Sequence, residues 1–363
     1  MKKIAIVLGT RPEIIKMSPI VVECQKQGVD FFILHTGQHY SHELDKQIFD
    51  DLKLPAPKHN LGIGGQPYRK QVGLMTKEIS KILDIEKPDV VIVQGDTISV
   101  LAGAMAGKKA GIKIAHHESG LRSHDTSMVE ETNRVVTDHI SDFLFVPTLD
   151  ALKNLQEEGM DPDRIHMVGN TIVDAVLQNL DKALNTGKKF EEHKLSSRGY
   201  ILASAHRAEN VDVPKRLKGI IEGLRLTGQE LGVPVIFPVH PRTKFKLKEF
   251  NITLPDNIIE IEPVGFLELL KLEKHARLVM TDSGGMQEES FILRVPCVTL
   301  RDNTERPETV EHGANIVSGV EPEKILAAAK LMVGKNLNPT HFINPFGDGR
   351  TAERIIRILQ ESL

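Results

Sequence analysis

The stretch Leu278-Val-Met-Thr-Asp-Ser-Gly-Gly-Met-Gln-Glu-Glu-Ser290 decides how the rest of the chain is read. Leu278–Thr281 is apolar or β-branched and has the character of a buried parallel strand. Asp282-Ser283-Gly284-Gly285 is a turn with almost no side-chain bulk. Met286–Leu293 is expected to continue as a helix. A strand, a small-residue turn and a helix together aim free backbone N–H groups and a positive helix end at an anion. Glu288 and Glu289 lie about one turn into that helix, where they could accept hydrogen bonds from hydroxyl groups. Gly and Ser are also ordinary in any turn, so the stretch needs support from elsewhere.

Working outward, short apolar runs recur with helix-length segments between them. Ile4–Leu8, Phe31–His35, Val90–Val93, Ile112–Ala115 and Phe143–Val146 read as strands. Ile14–Gln27, Arg69–Leu83, Val100–Ala110 and Leu149–Glu158 read as helices. After Val168-Gly169-Asn170-Thr171 a second set begins. Its strands are Tyr200–Ala203, Val235–Val239, Ile258–Ile261, Leu278–Thr281 and Cys297–Leu300. Its helices are Val213–Leu231, Leu267–His275, Met286–Leu293 and Pro322–Val333. Lys182–Arg198 is charged and weakly patterned, and reads as a helix end plus a surface loop. Continuous rather than alternating apolar strands, separated by helices, indicate parallel sheets covered on both faces. The expectation is an α/β chain of two doubly wound halves, 1–171 and 172–350. Thr351–Leu363 is an amphipathic helix that could pack on either. A length of 363 residues agrees with two domains.

Composition excludes several classes. A net charge of -3, no Trp and 4% aromatic residues argue against a nucleic-acid binder. Cys24 and Cys297 are the only cysteines, so neither a disulfide framework nor a thiolate metal cluster is expected. No apolar run approaches the roughly 20 residues that span a bilayer. Met1–Leu8 resembles a short signal peptide but lacks a small-residue cleavage site. It is read as the first strand of a cytoplasmic protein with no membrane partner.

The unusual polar clusters follow predicted strands. They are Gly9-Thr10-Arg11-Pro12-Glu13 with Lys16, Gln94-Gly95-Asp96-Thr97, His116-His117-Glu118-Ser119-Gly120-Leu121-Arg122, Ser204-Ala205-His206-Arg207-Ala208-Glu209-Asn210, His240-Pro241-Arg242, the opening stretch, and Arg301–Glu308. Their recurrence at one edge predicts a polar cleft at the carboxyl ends of the strands. Pro12 starts a helix well and sets Arg11 at its N-terminal end. Asp96 could equally be an N-cap, and Glu130-Glu131 could be dipole partners in a first turn. Arg306 near a glycine turn is a natural bidentate phosphate ligand. Adjacent histidines on an extended segment point to opposite faces, so His116 and His117 are not expected to share a metal. The cations and the glycine-rich helix start suit a diphosphate. Asp96, Glu118 and Glu130 suit proton transfer at carbon. A UDP-sugar whose bond to the diphosphate is broken fits both groups.

Taken together, Gly9-Thr-Arg-Pro-Glu-Ile-Ile-Lys16, Gln94-Gly-Asp-Thr97, Glu118-Ser-Gly-Leu-Arg122, Glu130-Glu-Thr-Asn-Arg134, Val168-Gly-Asn170, Ala205-His-Arg-Ala-Glu-Asn210, Thr281–Glu289 and Arg301–Glu308 resemble the non-hydrolysing UDP-N-acetylglucosamine 2-epimerases. The resemblance runs from Gly9 to Glu308. It implies two Rossmann-like domains of glycosyltransferase-B type facing a central cleft, with the last helix returning to the first domain. It implies interconversion of UDP-GlcNAc and UDP-ManNAc with no cofactor and no metal, by a homodimer. By position, Asp96, Glu118 and Glu130 would be the acid–base set, supported by Arg134 and His206. Arg11, Ser283, Gly284, Gly285 and Arg306 would hold the diphosphate region and Glu289 the ribose, with Lys16 adding charge. The chain departs from the family at Val129, usually Pro, at Ser123–Met128, which lacks a basic residue, and at His117, usually small and apolar. Gln38-His39 is followed by Tyr40-Ser41-His42, where bacterial members carry Gln-His-Arg near an allosteric UDP-GlcNAc site. The alternatives are a 2-epimerase of another UDP-2-acetamido sugar, such as a diacetamido uronic acid, and a glycosyltransferase of the same architecture.

Overall fold

The computed structural model describes residues 2–38, 42–65, 67–126, 128–186, 188–335, 337 and 344–363. The chain forms two compact units, Met1–Gln178 with Asn344–Leu363, and Asn179–Ile343. The first contains β1 (Lys3–Leu8), α1 (Arg11–Gln27), β2 (Asp30–His35), α2 (His42–Asp51), β3 (His59–Asn60), α3 (Tyr68–Glu86), β4 (Val90–Gln94), α4 (Ile98–Lys109), β5 (Lys113–His117), α5 (Val129–Ile140), β6 (Phe143–Val146), α6 (Leu149–Glu157), β7 (Ile165–Met167) and the start of α7 (Thr171–Thr186). The second contains α8 (Lys189–Glu192), β8 (Ile201–Ser204), α9 (Ala208–Val211), α10 (Pro214–Leu231), β9 (Val235–Pro238), α11 (Pro241–Glu249), β10 (Ile258–Ile261), α12 (Phe266–His275), β11 (Leu278–Thr281), α13 (Gly284–Leu293), β12 (Cys297–Thr299), α14 (Pro307–Glu311), β13 (Asn315–Val317) and α15 (Pro322–Val333). The chain ends in α16 (Thr351–Ser362), which packs on α1 in the first unit.

Each unit is built on one parallel sheet. The orders are β3-β2-β1-β4-β5-β6-β7 and β10-β9-β8-β11-β12-β13, both Rossmann-like and doubly wound. The order reverses between β1 and β4 in one sheet and between β8 and β11 in the other. Such switch points open a crevice at the carboxyl ends of the flanking strands. Every residue of β4 is buried, as a strand covered on both faces requires. Ala5, Val7, Val91 and Val93 pack against Val100, Ala104, Met75, Ile79 and Leu83. In the second unit Ile201, Ala203, Phe237 and Met280 pack with Leu217, Leu224, Ile325 and Met332. A fully buried Leu, Ile or Phe contributes roughly 1.5–3 kcal/mol. Among the described residues no helix is long and apolar enough to cross a membrane.

Several boundaries differ from the sequence expectation. β5 runs to His117 rather than stopping at Ala115, and His117 pairs in register with Gln94. His116 can be buried in a strand because Nδ1 reaches Asp138 at 2.7 Å and Nε2 reaches the Gly95 carbonyl at 2.8 Å. α1 starts at Arg11 rather than Ile14, with Pro12 in its first turn and Glu13 bonded back to the loop amides. α13 starts at Gly284 rather than Met286, capped by Ser283. The charged segment at 182–198 adds the short α8 to the end of α7.

Candidate functional site

In the first unit the polar residues gather where β1, β4 and β5 end. The loop after β1 lies flat against its neighbours. A Cβ on Gly9 would fall 1.9 Å from Thr36 Oγ1 and 2.3 Å from Ser99 Oγ. Glu13 then clamps that loop to the next one. Its Oε2 accepts from the amides of Gly9 (2.6 Å) and Thr10 (3.0 Å), and its Oε1 accepts from the Thr97 hydroxyl. Burial pushes the Glu13 carboxyl up to about 7, while the Thr97, Gly9 and Thr10 hydrogen bonds restrain the rise.

Glu118 is the centre of this group. It sits in the left-handed region at φ 68 directly after β5, an uncommon conformation for a residue with a side chain. Its carboxylate is 5% exposed and densely coordinated. Oε1 accepts from Lys16 Nζ at 2.5 Å and from Asn170 Nδ2 at 2.7 Å, and Oε2 from Gln94 Nε2 at 2.6 Å. Three segments, α1, β4 and the turn before α7, thus converge on one carboxylate. Lys16 is buried with it, so this lysine belongs to an internal ion pair rather than to a solvated charge. His117 reaches the same turn, with Nε2 3.4 Å from the Gly169 carbonyl. Burial lowers its imidazole to about 4, so it is neutral at pH 7.

Asp96 follows β4 and pairs with Arg134 of α5. Arg134 also reaches Glu131 at 2.8 Å, and Asn133 Nδ2 donates to the Asp96 carbonyl at 2.7 Å. Glu131 receives Ser123 and His124 as well. Burial would raise its carboxyl, but these hydrogen bonds and Arg134 outweigh burial and lower it. Glu130 occupies the first turn of α5, half-buried, with no ion pair among the described residues. Arg122, in the same motif as Glu118, braces the scaffold through Asp138 at 2.8 Å and Glu158 at 2.7 Å. Arg11 opens α1, where burial lowers its guanidinium and the nearby Asp45 opposes that.

In the second unit Asp282 does what Glu13 does in the first. Fully buried after β11, it accepts from the amides of His206 (3.0 Å) and Arg207 (3.0 Å) and from Asn210 Nδ2 (3.1 Å) after β8. Its Oδ1 lies 3.3 Å from His206 Nδ1, which orients a ring that is 38% exposed. The next residues start α13. Ser283 caps the helix by accepting from the Met286 amide at 3.4 Å. A Cβ on Gly284 would meet nothing within 4 Å, and one on Gly285 only Ser283 Oγ at 3.8 Å. Neither glycine has a positive φ. Among the described residues nothing requires glycine there, and the space that either Cβ would enter is open. Arg306 lies close by but is engaged by Glu288 at 2.6 Å and by the Glu305 carbonyl at 2.9 Å. Arg301 makes a two-pronged pair with Glu305 at 2.7 and 2.9 Å. Glu289 is buried beside Glu273 of α12.

The structure therefore joins Asp96 to Arg134, Lys16 to Glu118, and His206 to the Ser283–Gly285 turn through Asp282. Glu13, Gln94, Asn170, Glu131 and Asp282 were not singled out as site residues from the sequence. Each lies inside a polar motif that was, and a pattern of acids next to a glycine or capping turn was the available signal. Of the Gln38–His42 segment, residues 39–41 lie outside the described residues, as does Ser127 of the 123–129 loop.

A family model described as UDP-N-acetylglucosamine 2-epimerase matches residues 22–360. The UDP-N-acetylglucosamine 2-epimerase of Methanocaldococcus jannaschii is 54% identical over 364 residues, covering 98% of each chain. The crystal structure of the M. jannaschii UDP-GlcNAc 2-epimerase in complex with UDP-GlcNAc and UDP is similar at a TM-score of 0.92 and 52% identity, over 99% of this chain and 100% of that one. The UDP-2,3-diacetamido-2,3-dideoxy-D-glucuronate 2-epimerase of Pseudomonas aeruginosa is 38% identical, covering 98% of this chain and 99% of that one.

Proposed function

Since the chain belongs to the UDP-N-acetylglucosamine 2-epimerase family, we propose that it interconverts UDP-GlcNAc and UDP-ManNAc by eliminating UDP and adding it back. In the forward step a carboxylate removes the C2 hydrogen as a proton. The C2–H electron pair forms the C1=C2 bond of 2-acetamidoglucal, and the C1–O bond breaks with its electrons leaving on UDP. In return, a proton is delivered to the opposite face of C2 and a diphosphate oxygen bonds to C1. Asp96, Glu118 and Glu130 take the acid–base roles, because removal and delivery on opposite faces need at least two groups. Arg134 holds Asp96. The start of α13, with Ser283, Gly284 and Gly285, takes the diphosphate with Arg11, Arg306 and His206, and Glu289 takes the ribose. Lys16 acts through Glu118. The observation that carries the reading is the open space that a Cβ on Gly284 or Gly285 would enter, at the N-terminus of a helix following a switch-point strand. The higher identity to the N-acetylglucosamine enzyme than to the diacetamido-glucuronate enzyme supports the simpler sugar. On the family resemblance alone, we extend the reading to a homodimer acting in the cytoplasm in polysaccharide biosynthesis.

The test is turnover of UDP-GlcNAc in deuterated water. Product C2 is expected to carry deuterium. Asp96→Asn, Glu118→Gln and Glu130→Gln are each expected to lower turnover by about 100-fold or more. Retention of the original C2 hydrogen in the product would overturn the mechanism.

A further inference from the structure

Glu273 is a carboxyl group in a place that cannot hold a charge. It lies on α12 with no exposed surface, and neither oxygen meets a hydrogen-bond donor. Among the described residues, the surrounding elements supply no cation to neutralise it. Lys271, on the same helix, pairs with Glu191 of α8 at 2.8 Å. Lys274 reaches the Leu293 carbonyl at 3.4 Å. Tyr200, at the start of β8, spends its hydroxyl hydrogen on the Leu272 carbonyl, and burial raises that phenol. Cys297 of β12 is raised too, by burial first and then by Glu273 itself. What Glu273 does meet is another acid, the carboxyl of Glu289 on α13, within hydrogen-bond reach.

Two carboxyl groups in a dry site share one proton, because two like charges at contact cannot both persist there. A protonated carboxyl is a donor, so the proton turns a repulsive pair into a hydrogen bond. We propose that Glu273 is a positioning residue for nucleotide binding: as a neutral acid it donates to Glu289 and fixes that carboxylate as the acceptor for the ribose hydroxyls. This rests on the reading above that Glu289 takes the ribose. Burial and the Glu289 charge both raise the Glu273 carboxyl well above the ordinary range, and its two donor-less oxygens in a dry site favour the protonated form. Once pH rises past the Glu273 titration the proton leaves, the two anions repel, and Glu289 loses its orientation.

The experiment compares binding of UDP and of 2′,3′-dideoxy-UDP by calorimetry. Native protein is expected to bind the dideoxy compound at least about tenfold more weakly, since charged hydrogen bonds are lost. Glu289→Ala should abolish that preference. Glu273→Met keeps the volume but removes the donor, and should abolish most of it. Glu273→Gln keeps a donor and should retain it. The native preference should decline as pH rises through the Glu273 titration, whereas Glu273→Gln should hold its preference across the same range. If Glu289→Ala keeps the preference, the ribose assignment fails and the proposal falls with it. If Glu289→Ala loses it but Glu273→Met does not, the ribose assignment stands and the role of Glu273 is overturned. A Glu273→Gln protein that behaves like Glu273→Met, or that shows the native decline with pH, also overturns it.

Discussion

Glu118 carries its charge inside the protein, and Lys16 is the reason it can. Breaking one side of a buried ion pair typically costs about 3–5 kcal/mol, because the remaining charge has no water and no partner. Lys16→Met is therefore expected to lower unfolding free energy by that order, and Lys16→Met with Glu118→Gln to recover part of it. Urea unfolding at pH 7 checks this; a single Lys16→Met as stable as the native chain would refute it. Glu118→Gln carries the converse burden, so its turnover must be read on folded protein. From sequence, Lys16 looked like a charge for the ligand. In the fold its Nζ meets Glu118, 102 positions away, and no local spacing can show a contact made only when α1 and the end of β5 come together. His117 is a second residue where burial decides. Its imidazole titrates near 4 in the folded protein and near 6.5 unfolded. The sign follows from proton uptake: below pH 6.5 the unfolded state binds a proton that the folded state refuses. Native stability should fall as pH drops from 6.5 to 4, by on the order of 3 kcal/mol at most. His117→Leu should lack that component, so the native-minus-variant difference should shift across this window and be flat from pH 7 to 8.

At the scale of elements, both sheets use the same device. Glu13 ties the loop after β1 to the loop after β4, and Asp282 ties the loop after β11 to the loop after β8. Each carboxylate spans a switch point and fixes the two loops that a ligand there would touch. The start of α13 is what Asp282 holds in place, and it separates binding from stability. Because a Cβ on Gly284 meets no atom within 4 Å and its φ is not left-handed, Gly284→Ala is expected to leave stability unchanged or raise it by about 0.5–1 kcal/mol. The same methyl would stand in the space assigned to the diphosphate, so UDP affinity should drop by about tenfold or more. Thermal unfolding and calorimetry on one variant check both halves; unchanged UDP affinity would refute the placement. The long strands were legible because a fully covered strand is apolar throughout, as in Val90–Val93. β3, β7 and β13 were not, since each has only two or three residues and includes a polar one (His59–Asn60, His166, Asn315), whereas the equally short β12 runs on into Leu300 as Cys-Val-Thr-Leu. β5 was cut short because its last two residues are histidines, whose burial depends on acceptors that lie far away in sequence.

For the whole molecule, an amphipathic face shows that the last helix packs without showing on what, and only the family resemblance sends it back to the first domain. α16 belongs to the first unit. Ile355, Ile356 and Leu359 are completely buried, and the Ala352 amide donates to Asp174 Oδ1 at 3.0 Å. Arg354 reaches the Val168 carbonyl at 3.2 Å, and the Phe346 carbonyl accepts the Asn170 amide at 2.7 Å. Burying those three side chains contributes at most roughly 5–9 kcal/mol. The contact with Asn170 matters more for chemistry than for stability. Asn170 is the residue whose side chain holds Glu118 Oε1, so the last 20 residues brace a carboxylate assigned to proton transfer while supplying no reacting group. Removing residues 344–363 is therefore expected to abolish turnover in a chain that retains Asp96, Glu118, Glu130 and the whole second unit. Hydrogen exchange should rise in α1, in the 168–171 turn and in α7, and stay native in β8, β9, β11 and β12. UDP should still protect the start of α13 from exchange. If exchange rose equally throughout the second unit, or if UDP protection disappeared, the truncation would be acting on the fold at large and not through Asn170.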